Sequence, residues 1–231
     1  MPNQSIQALV CDCDGVIVDS EVVAERALVD ALSELAPREE VAALIRGAFG
    51  QSTSAVLGLI ERRCGITLSD AFRADLYTRT EQLIATTAAP IDGVKTALES
   101  IDLPLAVVSN STHASVLNSV RRAGLEQRVG GRIFTAEMVG VPKPAPDVYM
   151  RAVAAMKTPA PKCVAIEDSA AGVQSALAAG VPVIGFVGAS HIPPAHADHL
   201  LRLGAVAVIG RMLDLPPLLR RLARRSDSSR Q

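Results

Sequence analysis

From residue 105 to residue 209, short β-favouring apolar runs alternate with stretches patterned as helices. This alternation constrains the fold more than any other feature of the chain. Residues 105–108, 132–135, 163–166, 181–187 and 205–209 read as strands. Helices are predicted over about 112–123, from the Pro144/Pro146 pair to Met156, over the Ala-rich 169–179, and over 212–224. Strands separated by helices of this length imply βαβ units and a parallel sheet. An earlier apolar run, residues 6–10, can join that sheet as its first strand.

Residues 21–88 behave differently, with helical spacing almost throughout. Val22, Val23, Ala27, Leu28, Ala31, Leu32 and Leu35 recur on one face until Pro37 stops the run. Further helices are predicted over 39–46, from Ser52 or Ser54 to Arg63, and from Ser69-Asp70 to about Thr86. The Ala88-Ala89-Pro90-Ile91-Asp92-Gly93 stretch then punctuates the chain as a linker does. The predicted fold class is α/β. A Rossmann-like parallel-sheet core, residues 1–18 and 91–231, carries an inserted all-helical domain, residues 19–90.

Composition limits the function classes. Half the 231 residues are hydrophobic and a fifth are charged, enough for a substantial core and against wholesale disorder. That core must be mostly aliphatic, since there is no Trp and only two Tyr and four Phe. A net charge of −1 argues against nucleic acid as a partner. The C-terminal arginines (Arg220, Arg221, Arg224, Arg225, Arg230) read as the solvated face of a last helix and its tail. Cys11, Cys13, Cys64 and Cys163 form no metal or disulfide pattern. No apolar run reaches the ~18 residues of a membrane span, and no signal-peptide pattern opens the chain. The expectation is a soluble, cytoplasmic, monomeric protein with no nucleic-acid or membrane partner.

Ligands of open parallel sheets bind at the carboxyl ends of the strands. Three of the predicted strands end in polar residues: Asp12 and Asp14 after the first, Ser109-Asn110 after the second, and Glu167-Asp168 after a later one. Lys143, in Val141-Pro142-Lys143-Pro144-Ala145-Pro146, lies between the last two. Asp-x-Asp-Gly alone reads equally well as a strand followed by a turn, and Glu167-Asp168 alone reads as a helix N-cap. Taken together, up to four carboxylates with one ammonium cannot all stay ionised without a further cation. A hard divalent ion with oxygen ligands and open positions for phosphate answers that need, and Mg²⁺ fits best.

The ordered set Asp12-Cys13-Asp14-Gly15-Val16-Ile17-Val18-Asp19-Ser20, Ser109-Asn110, Lys143-Pro144 and Glu167-Asp168-Ser169 resembles the four motifs of the haloacid dehalogenase-like (HAD) superfamily. The resemblance extends to the helical insertion, similar to a C1-type cap. Glu167-Asp168-Ser169-x-x-Gly172-x-x-Ser175-Ala176 also resembles the β-phosphoglucomutase and phosphosugar-phosphatase branch. The resemblance implies that Asp12 is the nucleophile and Asp14 the general acid and base. It also implies that Ser109, Asn110 and Lys143 bind the phosphoryl group. The Asp12 and Asp168 carboxylates and the Asp14 main-chain carbonyl would hold Mg²⁺, with Glu167 nearby. The implied partner is a small phosphorylated metabolite, a sugar or sugar-acid phosphate, hydrolysed through an aspartyl-phosphate.

Departures from neighbouring activities sharpen the expectation. Dehalogenases of the superfamily lack the second acid, present here as Asp14. Phosphonatases need a cap lysine, and residues 21–90 contain none. Mutases carry a His in the early cap helix, where this chain has Ala24, and a cap-loop Arg, where it has Thr53. Simple hydrolysis is therefore expected, with a β-phosphoglucomutase-type mutase as the alternative and a non-catalytic phosphometabolite-binding protein as the alternative of another class. Phe49, Gly50, Gln51 and Thr53, in a Gly-containing polar loop, are the candidate substrate-facing cap residues. His113 reads as a surface residue at a helix start. His191, His196 and His199 lie too far in sequence from any acidic cluster to suggest a metal role.

Overall fold

The computed structural model describes residues 6–48, 53–193 and 195–227. Among them, six strands form one sheet: β1 (Ala8–Asp12), β2 (Leu105–Ser109), β3 (Ile133–Thr135), β4 (Cys163–Glu167), β5 (Val183–Phe186) and β6 (Ala207–Ile209). Every pairing is parallel and the order is β3-β2-β1-β4-β5-β6. The sheet is Rossmann-like, and its direction of growth reverses between β1 and β4, the place at which open parallel sheets generally bind ligands. Asp12 faces Val108 across one edge of β1, and Cys11 faces Ile166 across the other. That register brings Asp12, Ser109 and Glu167 to one end of three adjacent strands.

The helices are α1 (Ser20–Leu32), α2 (Arg38–Gly47), α3 (Thr53–Cys64), α4 (Asp70–Thr87), α5 (Val94–Glu99), α6 (His113–Arg122), α7 (Glu126–Val129), α8 (Ala136–Val139), α9 (Asp147–Met156), α10 (Ala170–Ala178), α11 (His196–Leu203) and α12 (Leu215–Asp227). None among the described residues is long and apolar enough to cross a membrane. Two compact units result, residues 1–19 with 89–231, and residues 20–88.

In the larger unit, side chains alternate across the sheet with period two. Ala8, Val10, Ala106, Val108 and Ala165 on one face pack with Val148, Tyr149 and Ala152 of α9 and with Val173 and Ala176 of α10. Each Val or Leu removed from water contributes about 1.5–3 kcal/mol, so an aliphatic core needs many of them rather than a few aromatics. Asp12 and Glu167 continue this face beyond Val10 and Ala165, and so project toward α9 and α10.

Among the described residues the smaller unit is built of helices joined by short turns, and it has its own core, built on Leu28, Leu32, Val41, Leu57, Ile60 and Leu76. Glu61 ties α3 to the start of α4, accepting from the Leu68 N–H at 2.8 Å and pairing with Arg73 at 2.5 Å. Those bonds pull its carboxyl below the usual range. Ser69 caps α4 by accepting from the Phe72 N–H. α1 stops at Leu32, short of the predicted Leu35, which is 46% exposed. The N–H groups of Leu35 and Ala36 both turn back to the Leu32 carbonyl, because the residue before Pro37 is disfavoured in a helix.

All four cysteines are free; Cys11, Cys13 and Cys163 are buried, and Cys64 is partly exposed. Burial pushes the Cys11 and Cys13 thiols well above the ordinary value and Cys163 to about 11. A disulfide reagent at pH 8 is therefore expected to modify at most one thiol in the folded protein, Cys64, and all four after denaturation. Rapid native modification of two or more would contradict the burial.

Candidate active site

β1 ends at Asp12, and the chain then turns sharply. The Ile17 and Val18 N–H groups donate to the Cys13 carbonyl, and the Gly15 N–H donates to the Val18 carbonyl. Gly15 has φ +72°, a conformation that a side chain disfavours. A Cβ there would also lie 1.8 Å from Asp168 Oδ2, so the glycine lets the turn press against that carboxylate. The turn separates the two acids. Asp12 is buried while Asp14 is half-buried.

Asp12 Oδ1 accepts from the Cys13 N–H at 2.8 Å and from Lys143 Nζ at 2.7 Å. The same ammonium donates to Glu167 Oε1 at 2.8 Å, and that oxygen also accepts from the Tyr149 hydroxyl at 2.6 Å. Glu167 Oε2 accepts from Ser169 Oγ at 3.3 Å. Gly172, one turn into α10, leaves the space for this carboxylate, since a Cβ there would lie 1.9 Å from Oε2.

Two buried carboxylates thus share one buried ammonium. Burial raises the Asp12 carboxyl well above its usual value, Glu167 repulsion adds to this, and Lys143 opposes it. For Lys143, burial alone would lower the value; the Asp12 and Glu167 carboxylates outweigh it and hold the ammonium above the ordinary lysine range. Burial, then Glu167, also raises the Tyr149 phenol, so Tyr149 stays a donor.

Asp14 belongs to a second cluster. Its Oδ2 accepts from Ser109 Oγ at 2.9 Å and Ser111 Oγ at 3.0 Å, and Ser109 Oγ itself accepts from the Ser111 N–H at 2.9 Å. Asn110, expected to bind phosphate, uses its amide on the main chain of Lys143. Its Oδ1 accepts from the Lys143 N–H at 2.8 Å and its Nδ2 donates to the Lys143 carbonyl at 3.4 Å. Ser175 of α10 steadies the same proline-flanked segment by donating to the Ala145 carbonyl at 2.6 Å.

One oxygen each from Asp12, Glu167 and Asp168 lie within 4.8 Å of one another, all on buried side chains. Hard oxygen donors with net negative charge suit a divalent cation. The N-cap reading of Glu167-Asp168 does not describe the structure, because α10 is capped by Ser169, which accepts from the Gly172 N–H at 3.1 Å. Asp168 is left for other work.

Of the four candidate cap residues, Phe49, Gly50 and Gln51 lie outside the described residues, and Thr53 is exposed at the first position of α3. His113 opens α6, its N–H donating to Glu137. Two histidines after β5 come near Asp168, although neither belongs to the cluster of Asp12, Glu167 and Asp168. His191 lies 3.9 Å from Asp168 Oδ2 and 3.7 Å from Asp19 Oδ1, and His196 Nε2 lies 2.6 Å from the Asp168 carbonyl. They approach it despite their distance along the chain because the β4 and β5 ends are neighbours in the sheet. Ser111 and Tyr149 also escaped the sequence. A serine two residues past Ser109 was a usable signal, whereas Tyr149 looks like any core aromatic on a helix.

Residues 6–180 match the hydrolase family described as haloacid dehalogenase-like. The chain is 27% identical over 190 residues to 6-phosphogluconate phosphatase of Escherichia coli K12, covering 82% of this chain and 86% of that protein. It is 34% identical over 182 residues to hexitol phosphatase A of the same bacterium, covering 75% and 79%. A solved haloacid dehalogenase-like protein of unknown function from Agrobacterium tumefaciens C58 superposes with a TM-score of 0.85 at 32% identity, covering 95% of this chain and all of that one. With a matching family, a matching fold and acids at the strand ends where that sheet binds its ligands, the chain belongs to the haloacid dehalogenase-like hydrolases and is an enzyme of that family.

Proposed function

We propose that this enzyme is a Mg²⁺-dependent phosphatase that hydrolyses a small phosphorylated metabolite, a sugar or sugar-acid phosphate, through an aspartyl-phosphate on Asp12. The observation that carries this reading is the division of the site. Asp12 has one oxygen fixed by the Cys13 N–H and Lys143, while Asp14 is held apart by Ser109 and Ser111. One carboxylate can then attack while the other handles protons, splitting one hard displacement into two easier ones.

In the first step Asp12 forms a bond to phosphorus as the ester oxygen departs, taking a proton from Asp14. In the second, water attacks phosphorus, gives its proton to Asp14, and releases phosphate and Asp12. Ser109 and Lys143 bind the phosphoryl oxygens, and Asn110 supports that grip by orienting Lys143. Asp12, Asp168 and the Asp14 main-chain carbonyl hold the cation. Glu167, both of whose oxygens already accept hydrogen bonds, balances charge from behind. When bound, Mg²⁺ neutralises the carboxylates and offsets charge on the phosphoryl oxygens.

The substrate class is supported by the two Escherichia coli relatives, a 6-phosphogluconate phosphatase and a hexitol phosphatase. Residues 20–88 are the cap in this reading, and Phe49, Gly50, Gln51 and Thr53 are its candidate substrate-selecting residues. Ala24 and Thr53, in place of the mutase His and Arg, favour hydrolysis. The enzyme is proposed to work as a cytoplasmic monomer, consistent with its free thiols.

A panel of phosphorylated metabolites assayed for phosphate release tests the reading. Sugar and sugar-acid phosphates are expected to be hydrolysed with Mg²⁺, and chelation is expected to abolish turnover. Conversion of β-glucose 1-phosphate to its 6-phosphate isomer without phosphate release would instead establish a mutase. Absence of turnover across the panel would favour a binding protein.

A further inference from the structure

We infer that Tyr149 is a positioning residue for Lys143: by donating to Glu167, its hydroxyl leaves one N–H of the ammonium for a phosphoryl oxygen. Lys143 Nζ has three N–H groups to give. Asp12 Oδ1 takes one at 2.7 Å and Glu167 Oε1 takes another at 2.8 Å. Among the described residues the third has no acceptor, so it is the one the site can offer a ligand. Glu167 Oε1 in turn has two lone pairs. Lys143 occupies one, and the Tyr149 hydroxyl occupies the other at 2.6 Å.

Tyr149 stands in the first turn of α9, just beyond the proline-flanked segment that carries Lys143. That helix packs on the sheet face that Asp12 and Glu167 continue, so the phenol meets Glu167 inside the core. Both residues are wholly buried, and water cannot stand in for the hydroxyl. The ammonium also lies over the tyrosine ring, 5.7 Å from its centroid and within cation–π reach. The rest of the carboxylate is constrained as well. Ser169 Oγ donates to Oε2 at 3.3 Å, and the Gly172 backbone crowds the group, since a Cβ there would lie 2.1 Å from Oε1. Without the Tyr149 hydroxyl, one lone pair of a buried carboxylate has no donor, which is costly. The donor already at that oxygen is the ammonium, and by pivoting it can give Glu167 a second N–H. The N–H so taken is the one left for phosphate. A core tyrosine whose hydroxyl merely found the nearest acceptor would have no such effect on a ligand.

This inference rests on the reading that Lys143 grips the phosphoryl group, and the experiment separates the two. Full-length protein in Mg²⁺ is titrated with orthophosphate by isothermal titration calorimetry, which gives affinity and sites per chain separately, with thermal unfolding recorded beside it. A hydrogen bond to a charged group is worth about ten- to a hundredfold in an equilibrium, and only part of that reaches Lys143. Tyr149→Phe, which keeps the ring, is therefore expected to weaken orthophosphate binding about five- to tenfold at an unchanged number of sites. Unchanged affinity, or fewer sites of unchanged affinity, overturns the inference. Tyr149→Phe is then repeated in a Glu167→Gln background, where a neutral amide oxygen draws the ammonium far less. There it is expected to change affinity by less than about twofold. The same loss in both backgrounds marks a packing role and overturns the inference. If Glu167→Gln does not fold, the single variant decides, weaker binding at full stoichiometry supporting the inference. Lys143→Met is the control for the underlying reading. If Lys143→Met binds orthophosphate like wild type, or wild type binds none, the phosphoryl-binding reading of Lys143 fails, and the inference with it.

Discussion

Asp12→Asn is expected to abolish phosphatase turnover while leaving the metal-free protein at least as stable as wild type. Removing a nucleophile that works as part of a unit costs about 10⁴- to 10⁶-fold in kcat. The stability half of the expectation comes from counting charge. Asp12 and Glu167 are both buried against a single ammonium, Lys143. An amide at position 12 leaves a neutral Lys143–Glu167 pair, and its oxygen still accepts from the Cys13 N–H and Lys143.

The raised Asp12 carboxyl fixes the pH dependence. The fold binds that proton more tightly than the unfolded chain does. Its contribution to stability is therefore present below the ordinary Asp value of 3.8 and is lost as pH rises through the higher folded value. Asp12→Asn should remove that part of the decline. Thermal unfolding from pH 4 to 8 in chelator, with steady-state assays beside it, measures both halves. Measurable turnover, or a large fall in stability, would count against Asp12 as a strained nucleophile.

Lys143→Met should do the opposite to stability. Methionine fills a similar volume but leaves two buried carboxylates with no cation between them. Breaking a buried pair by removing one partner typically costs about 3–5 kcal/mol. At about 2–4 °C per kcal/mol for a chain of this size, the melting temperature should fall by roughly 6–20 °C. Activity should fall as well, since the ammonium that neutralises Asp12 and grips the phosphoryl group is gone. Asp12→Asn should raise stability more in the Lys143→Met background than in wild type, because there it removes an orphaned charge. That non-additivity is expected only of side chains that interact directly. Equal melting temperatures for Lys143→Met and wild type would mean that the ammonium is not compensating the carboxylates.

Much of the site was legible where its signal was local. The apolar run into Asp12 announces a strand end, the Asp-Gly turn announces a stop, and Ser109 and Glu167 end apolar strands in the same way. The prolines around Lys143 mark a stiff loop. Other parts were missed because their signals are faint or shared. α5 has six residues, too few for periodicity to register. α11 buries His196 and Leu200 four apart, but it follows a Pro pair that reads as a breaker. Nothing in the neighbourhood of Asn110 along the chain reveals that Lys143 will lie beside its amide.

The sequence by itself determined the alternation that makes a parallel sheet, the helical insertion, and the acids that stand at strand ends. These follow from backbone periodicity and turn chemistry, which act over a few residues. Only the tertiary structure decided which acids share a cation and which are kept apart. Tyr149 meets Glu167, Ser111 meets Asp14 and His191 meets Asp168 because strand order and helix packing bring distant segments together. Burial then sets the charge state of each group, and burial is a property of the packed core that no short stretch of sequence carries.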